Sequence, residues 1–286
     1  MGLFDRFKKK EKVLEAAERL ENFPEMLNAK LLFFEKPILN TAKILEELKL
    51  YFTRVENPSS DKALLYFFPD IKIELEGVTI PAQCTIFSPD GTSPEAEISE
   101  EAFQQNWHWK DANETAKRCK YEILVSDFMT RTLDYKTRLE LFMNFLVAVS
   151  KATNPQVVYS INSQKLIEPG SLIKSWDGQK KETLFGIANV RLFNIANGDT
   201  GDILMDTVGL SFLGLPDFQL RFTTLNESKV AELLWNYAYY IFEQGDVIET
   251  GNTLLGLEPN SKWKCERQIS LAGPERVVIN CNVQRP

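Results

Sequence analysis

The sequence predicts an α+β fold, in which mixed β-sheets are built from strand-helix-strand units and the helices pack mainly on one face. Residues 138–149 are apolar around most of a helical circumference, which indicates a buried helix. Segments 121–126 and 156–161 flank this helix and are rich in β-branched residues. Strands joined by so long a crossover usually run parallel. Segments 71–75 and 78–86 alternate apolar and polar residues on either side of a glycine, which is typical of a hairpin.

The buried helix is expected to cover residues 133–153 and to end at Asn154-Pro155, because proline disfavours a helical conformation in the residue before it. In the N-terminal part we predict strand 28–34, an amphipathic helix from residue 38 towards residue 52, and strand 62–68 ending at Pro69-Asp70. Pro81 lacks an amide donor, so we expect its strand to lie at a sheet edge or to carry a bulge there.

A second long helix is predicted from the N-cap Asn226 to Gln244, because apolar residues recur at three- and four-residue steps and Gly245 can end it. Residues 98–117 are predicted to be helical or irregular, and Ser171–Trp176 to be a short piece between two turns. The other predicted strands are 183–195, 203–213, 218–223, 263–269 and 276–283.

For domain organisation we expect a charged N-terminal segment, residues 1–24, followed by two α/β halves, residues 25–117 and 118–286, in one compact globule. Residues 28–87 and 121–222 are compatible with two related α/β halves.

The charge balance limits the partners. The net charge is −7 and the pI is about 5.1, so the field of the protein repels phosphate backbones and argues against nucleic acid. A neutral or basic protein partner fits better. The sequence has neither a membrane-spanning apolar run nor the features of a signal peptide, so we expect a cytoplasmic protein. No cofactor is predicted, because no phosphate-cradling glycine motif is present.

The N-terminus offers a weak membrane contact as an alternative. Phe4 and Phe7 could insert into an anionic surface beside Lys8, Lys9 and Lys10. A solvated start of the chain is the favoured interpretation, because one short amphipathic turn binds weakly. The four cysteines are widely spaced and form no C-x-x-C pair, so reduced thiols without zinc are expected.

His108 is the only histidine and lies between Trp107 and Trp109. It is either a base or ligand contact in an aromatic-walled pocket, or a loop histidine between two tryptophans that pack on the protein body. The second interpretation is favoured, and all three residues are kept as candidates for ligand or partner binding.

Asp199, Asp202 and Asp206 surround a glycine turn and could offer hard oxygen ligands to a cation. Leu210 stands where an EF-hand loop starting at Asp199 needs glutamate, so a solvated turn is favoured and no metal is predicted. Asp199 and Asp202 are kept as weak candidates for ligand or partner binding. Ser211 is not expected to be a nucleophile, because its surroundings have one residue too many for G-x-S-x-G.

The block from Asp206 to Asp217, DTVGLSFLGLPD, is followed by the long helix and by Thr250-Gly-Asn-Thr253. It resembles the C-terminal signature of an uncharacterised bacterial family, domain of unknown function number 4261. The strand ending at Thr79-Ile-Pro-Ala82, Asn106-Trp-His-Trp109 and the strand at Tyr121 also come in that family's order, so the resemblance covers about residues 28–257. Only Pro81 stands where the family has a more proline-rich block. The resemblance implies a bacterial cytosolic α+β protein and transfers no catalytic residue.

These observations favour a non-catalytic protein-interaction module, of the acidic kind that neutralises a partner such as a toxin. The alternative is a hydrolase or transferase that uses carboxylates and His108 in a cleft between the two halves.

Overall fold

The computed structural model describes residues 20–58, 63–88, 97–195 and 201–283. The chain divides into two compact units. The first unit is Pro24–Asn189, and the described residues of the second unit are 20–23, 190–195 and 201–283. The boundary predicted between residues 117 and 118 lies within the first unit. Among the described residues, no helix has the length and apolar character to cross a membrane.

The first unit is built on one sheet with the strand order β2-β3-β4-β1-β5-β6. The strands are β1 (Asn28–Phe33), β2 (Ala63–Leu75), β3 (Val78–Phe87), β4 (Tyr121–Phe128), β5 (Val157–Ser160) and β6 (Lys165–Ile167). Strand β1 pairs antiparallel with β4 on one side and with β5 on the other. Strands β4 and β5 therefore run in the same direction, as predicted for the strand-helix-strand unit, but β1 lies between them.

The helices of the first unit are α1 (Thr41–Leu48), α2 (Glu100–Gln104), α3 (Ala112–Arg118), α4 (Tyr135–Thr153) and α5 (Pro169–Asp177). Most residues of α4 are buried, which confirms the prediction from its apolar surface. Helix α4 places Phe145 against Tyr66 of β2, with the ring centroids 5.4 Å apart. The short helices α2 and α3 cover β5 and β6 on the other face, where their alanines join a core cluster around Leu32 and Tyr159.

Helix α4 begins and ends where the sequence indicates. Asp134 is the N-cap and accepts a hydrogen bond from the backbone N–H of Lys136 at 3.0 Å. Asn154 is the C-cap, with a φ of 52°, and the next residue is Pro155. Arg138 is buried on this helix because its guanidinium donates to the carboxylate of Asp127 at 2.6 Å.

Three predictions in the first unit were wrong. Strand β2 does not end at Pro69-Asp70 but continues as a 13-residue strand, because a register shift between Phe68 and Lys72 accommodates these residues as a bulge. Pro81 pairs with Lys72 directly beside this shift, but the extra residues lie in β2, and β3 is an interior strand between β2 and β4 rather than the edge or bulged strand that we expected. Residues 171–176 are not a piece between turns but part of α5, since Pro169 suits the first turn of a helix.

The second unit is built on a sheet with the order β10-β11-β12-β9-β8-β7. Its strands are β7 (Asn189–Asn194), β8 (Ile203–Val208), β9 (Asp217–Phe222), β10 (Thr253–Leu255), β11 (Lys262–Ile269) and β12 (Val277–Asn282). Strand β12 pairs in parallel with β9, whereas β8–β9, β10–β11 and β11–β12 are antiparallel. Residues 28–87 and 121–222 do not form separate sheets, because β4, β5 and β6 complete the sheet that contains β1, β2 and β3.

The long helix of the second unit, α6 (Glu227–Gln244), confirms the predicted helix. The side chain of Asn226 accepts a hydrogen bond from the backbone N–H of Lys229 at 3.0 Å, and Gly245 follows with a φ of 83°. The helix packs Tyr237 against Phe218 of β9, with the ring centroids 5.3 Å apart.

Two predicted strands of this region are shorter than expected. Residues 183–188 form turns, and β7 begins only at Asn189. Strand β8 ends at Val208, and a 3-10 helix, Leu210–Leu213, replaces the rest of the predicted strand. Gly209 and Gly214 flank this helix with φ values of 127° and 83°, which glycine adopts without steric cost.

Residues 20–23 belong to the second unit through hydrogen bonds to its last strands. The Asn22 amide donates to the carbonyl of Leu215 at 2.9 Å and accepts from the backbone N–H of Val277 at 2.8 Å. Arg267 donates to the carbonyl of Leu20 at 2.7 Å. Phe4, Phe7 and Lys8–Lys10, the residues of the suggested membrane contact, lie outside the described residues.

Candidate functional site

A buried network of two arginines and two aspartates lies inside the second unit. Arg191 of β7 donates from Nε to Asp206 Oδ1 at 3.0 Å and from Nη2 to Oδ2 at 2.5 Å. Arg276 bridges the two carboxylates, donating to Asp206 Oδ2 at 2.7 Å and to Asp217 Oδ2 at 3.2 Å. The four side chains are almost fully buried, so each charge is compensated inside the protein.

Asp217 stabilises the turn that precedes it in the chain. Its carboxylate accepts hydrogen bonds from the backbone N–H groups of Gly209 at 3.3 Å, Leu210 at 3.3 Å and Ser211 at 3.2 Å. It also accepts a hydrogen bond from the hydroxyl of Thr207 at 3.0 Å. Burial raises the pKa of Asp217, and the nearby charge of Arg276 opposes this change. Ser211 is thus held in a structural turn by its own backbone.

This network bears on the cation interpretation of Asp199, Asp202 and Asp206. Asp206 is engaged by Arg191 and Arg276, and Asp202 by Arg221, while Asp199 lies outside the described residues. Across the part of the chain that the structure describes, no group of three His, Cys, Asp or Glu side chains is arranged to hold a metal ion.

The second unit has a cleft of about 690 Å³ at the carboxyl ends of the parallel strands β9 and β12. We call it the Arg221 cleft. Its lining includes Arg221, Thr224, Leu257, Trp263, Cys281 and Asn282. The start of α6 follows directly after the lining residues that leave β9. Crevices beyond the carboxyl ends of parallel strands are common binding sites in α/β sheets.

Arg221 is held in this cleft by Asp202. Its Nε donates to Asp202 Oδ2 at 2.9 Å, and its Nη2 binds the same oxygen. The Asp202 side chain is 6% exposed, whereas the Arg221 side chain is 52% exposed. Asp202 therefore lines the cleft, and its carboxylate orients an arginine whose side chain is half exposed.

The first unit has a cleft of about 580 Å³ beside His108, which we call the His108 cleft. Its lining includes His108, Trp109, Glu168, Lys174, Glu182 and Phe185. The imidazole meets the Phe185 ring edge-to-face at 6.1 Å between centroids. Its Nε2 lies 2.8 Å from the carbonyl oxygen of Leu166, so this nitrogen carries the proton and donates it.

The surroundings of His108 keep it neutral. Although the residue as a whole is exposed, loss of hydration around the ring and the positive charge of Lys165 lower its pKa to about 4. Lys165 is buried beneath Phe185, with Nζ 3.9 Å from the ring centroid, and donates to the Phe185 carbonyl at 2.8 Å. Burial lowers the pKa of Lys165 to about 7. A histidine with so low a pKa is a weak general base at neutral pH.

The two tryptophans beside His108 have different environments. Trp107 is 52% exposed, and its indole N–H donates to the side chain of Gln105 at 3.2 Å. Trp109 is partly buried against the core cluster of Leu32 and Tyr159. The aromatic wall of the cleft is thus formed by Trp109 and Phe185, while Trp107 is not among the residues that line it.

Comparison with known proteins gives one finding. Residues 206–282 match the family model described as Domain of unknown function (DUF4261). This segment is similar to DUF4261, and we call it the DUF4261 segment. The match confirms the resemblance of the C-terminal signature. No curated protein and no solved structure is significantly similar to this chain.

The DUF4261 segment runs from Asp206 in β8 to Asn282 at the end of β12. It contains Asp217, Arg276 and most of the lining of the Arg221 cleft. The signature block DTVGLSFLGLPD therefore has a structural explanation, because its two aspartates hold the buried arginines and the 3-10 turn.

Sequence reasoning missed Arg221, Trp263 and Cys281 as lining residues of the cleft in the DUF4261 segment. The sequence contains one signal for Arg221. It lies between the apolar residues Leu220 and Phe222, so its side chain leaves the face of the strand opposite to theirs. That β9 and β12 pair in parallel, and so end at the same cleft, has no local sequence signal.

Proposed function

We propose that this chain is a non-catalytic protein-interaction module whose partner docks at the Arg221 cleft. The observation that carries the proposal is the geometry of Arg221, a half-exposed guanidinium that a nearly buried carboxylate holds in place. An arginine fixed before binding loses less side-chain entropy when a partner arrives. Its half-exposed side chain can donate to carbonyl or carboxylate oxygens of a partner.

The rest of the cleft has the composition of a protein-binding site. Trp263 and Phe222 form a buried floor, with Leu225 and Leu257 partly exposed beside them. Thr224 and Asn282 are exposed and supply polar groups. Aromatic residues and arginine are enriched at the centres of protein interfaces, and polar groups at their rims.

The charge of the whole chain suggests the partner. A net charge of −7 attracts basic proteins over long range and does not repel neutral ones, while Arg221 provides a local donor. An acidic protein of this kind suits a neutralising role towards a partner such as a toxin. The proposed function is therefore recognition of a neutral or basic protein.

The test compares capture of partners from a lysate of the native host by the wild-type protein and by two variants. Arg221→Ala removes the donor, and Thr224→Trp adds bulk to the cleft while both residues of the Arg221–Asp202 pair are kept. Arg54→Ala is the matched control, because its side chain is 60% exposed and pairs only loosely with Glu56, at 3.7 Å.

We expect mass spectrometry to identify one stoichiometric protein that the wild type and Arg54→Ala retain and that both cleft variants lose. Thermal unfolding of each variant checks that the protein is folded. Equal capture by Thr224→Trp and the wild type would contradict docking at this cleft, and the absence of any stoichiometric partner would contradict an interaction role.

The alternative function, a hydrolase or transferase, is favoured by one observation. His108, Glu168 and Glu182 line the same cleft and come from both sides of residues 117–118. Under this alternative, His108→Ala and Glu182→Gln would abolish turnover of a substrate that the wild type and Trp107→Ala both convert. The pKa of about 4 for His108 argues against the imidazole as the base.

A further inference from the structure

Cys265 and Cys281 stand directly opposite each other on β11 and β12. The backbone N–H of Cys265 donates to the carbonyl of Asn252 at 2.8 Å, and its carbonyl accepts from the N–H of Gly251 at 2.8 Å. Both backbone groups of Cys265 therefore face away from β12. The two cysteines form a non-hydrogen-bonded pair of the antiparallel ladder.

This class of pair brings side chains closest together. Opposite Cα atoms in a non-hydrogen-bonded pair are about 4.5 Å apart, and both side chains leave the same face of the sheet. A disulfide spans Cα atoms separated by roughly 4.4–6.8 Å. Pairs of this class lie at the short end of this range, so we expect a bridge to form without a large movement of either strand.

The two thiols are also chemically unequal. A hydrogen bond from the Cys281 thiol, together with one from the backbone of Leu254, lowers the pKa of Cys265 in spite of burial. The same interaction raises the pKa of Cys281. The thiolate is the nucleophile in disulfide exchange, so the lowered pKa of Cys265 favours exchange at this pair.

An entry path is present for a small reagent. Both cysteines are buried, but Cys281 lines the Arg221 cleft. The other two cysteines, Cys84 and Cys119, are also buried, and burial raises the pKa of each thiol. Neither of them faces a second cysteine across a strand pair, so they serve as internal references.

We propose that Cys265 and Cys281 form a redox-active dithiol that closes to a cross-strand disulfide by exchange with a small disulfide such as oxidised glutathione. In the first step the thiolate of one of the two cysteines attacks one sulfur of the reagent, and its S–S bond breaks to release one glutathione thiolate. The other cysteine then loses its proton to solvent and attacks the protein sulfur of this mixed disulfide, which releases the second glutathione thiolate.

The reaction balances in atoms and in electrons. The protein loses two protons and two electrons, and one oxidised glutathione becomes two glutathione thiols once both thiolates are protonated. The bridge forms at the wall of the Arg221 cleft, but its formation does not depend on whether that cleft binds a partner.

The experiment incubates the full chain in buffers with graded ratios of reduced to oxidised glutathione. The samples are quenched with acid, alkylated and analysed by intact-mass and peptide mass spectrometry. We expect a loss of two hydrogen masses, one cross-linked peptide pair containing Cys265 and Cys281, and full alkylation of Cys84 and Cys119. Dithiothreitol should reverse the change. Alkylation of all four thiols at every ratio, or a bridge to Cys84 or Cys119, would overturn the proposal.

Serine variants test whether the bridge needs both cysteines. Cys281→Ser and Cys265→Ser should each lose the cross-linked peptide pair and keep the other three thiols free of any protein disulfide. Cys119→Ser is the control and should still form the bridge. An intramolecular disulfide in either of the first two variants would contradict the assigned pair. If a variant does not fold, peptide mapping of the wild type still decides whether the bridge forms.

Discussion

His108 is expected to remain neutral in the folded protein down to about pH 4, because Lys165 and the lost hydration of its ring disfavour the imidazolium. As the only histidine, it gives a unique imidazole signal in a proton NMR titration. We expect a midpoint at about 4, against roughly 6.5 for an unperturbed histidine. The stability that the neutral form contributes is thus fully present above about pH 6.5 and is lost as the pH falls towards 4.

A variant separates the two causes of the lowered pKa of His108, which are the loss of hydration and the charge of Lys165. Lys165→Met removes the buried positive charge and should move the His108 midpoint upwards. Lys174→Met is the control, because Lys174 lines the same cleft but does not contribute to the lowered pKa of His108. A wild-type midpoint near 6.5 would show that the ring is more hydrated than the structure indicates.

Asp217 supports a second prediction at the level of single residues. Asp217→Asn should lower the free energy of unfolding by about 3–5 kcal/mol, because Arg276 would then lie buried beside a neutral amide. Urea unfolding measures the loss. Glu56→Gln, which alters an exposed and loosely paired carboxylate, should change the same quantity by less than about 0.5 kcal/mol. Similar losses in the two variants would contradict the structural role of the network.

Among the elements, α6 offers a test of helix capping. Asn226→Ala should destabilise the protein by about 1 kcal/mol, since the N–H of Lys229 loses its acceptor. Ser228→Ala changes an exposed residue in the first turn of the same helix and should have a smaller effect. Denaturant midpoints for the two variants give the comparison, and equal shifts would show that the cap contributes little.

Sequence patterns predicted correctly those elements whose signals lie within one segment of the chain. Helices α4 and α6 have long apolar periodicity together with capping residues, and the hairpin of β2 and β3 has clean alternation. Strand β2 continues through Pro69-Asp70 because a bulge forms against β3. The local sequence alone predicts that the strand ends at these two residues. The 3-10 turn after Val208 depends on the Asp217 carboxylate, which lies later in the chain.

The candidate sites were predicted only in part, for a related reason. His108 and Asp202 both line clefts, and their residue types and rarity marked them in the sequence. Arg221 and the Cys265–Cys281 pair depend on strand register and sheet order, which come from contacts between distant segments. Periodicity within one segment carries no information about its neighbours in a sheet.

At the scale of the whole molecule, the net charge of −7 leads to a prediction about binding kinetics. If the captured partner is basic, its association rate should fall several-fold as the ionic strength rises, because the Debye length shrinks from about 30 Å at 0.01 M to about 8 Å at 0.15 M. Stopped-flow mixing at several salt concentrations measures this rate. A rate independent of salt would rule out long-range attraction.

The place of β12 in its sheet bears on how the protein is made. This strand lies between β11 and β9, although it follows both of them in the sequence. On the ribosome, β9 therefore has no parallel neighbour until residues 277–282 have emerged. A nonsense codon shortly before Val277 would remove an interior strand rather than an edge, and the nascent sheet would be left in two pieces.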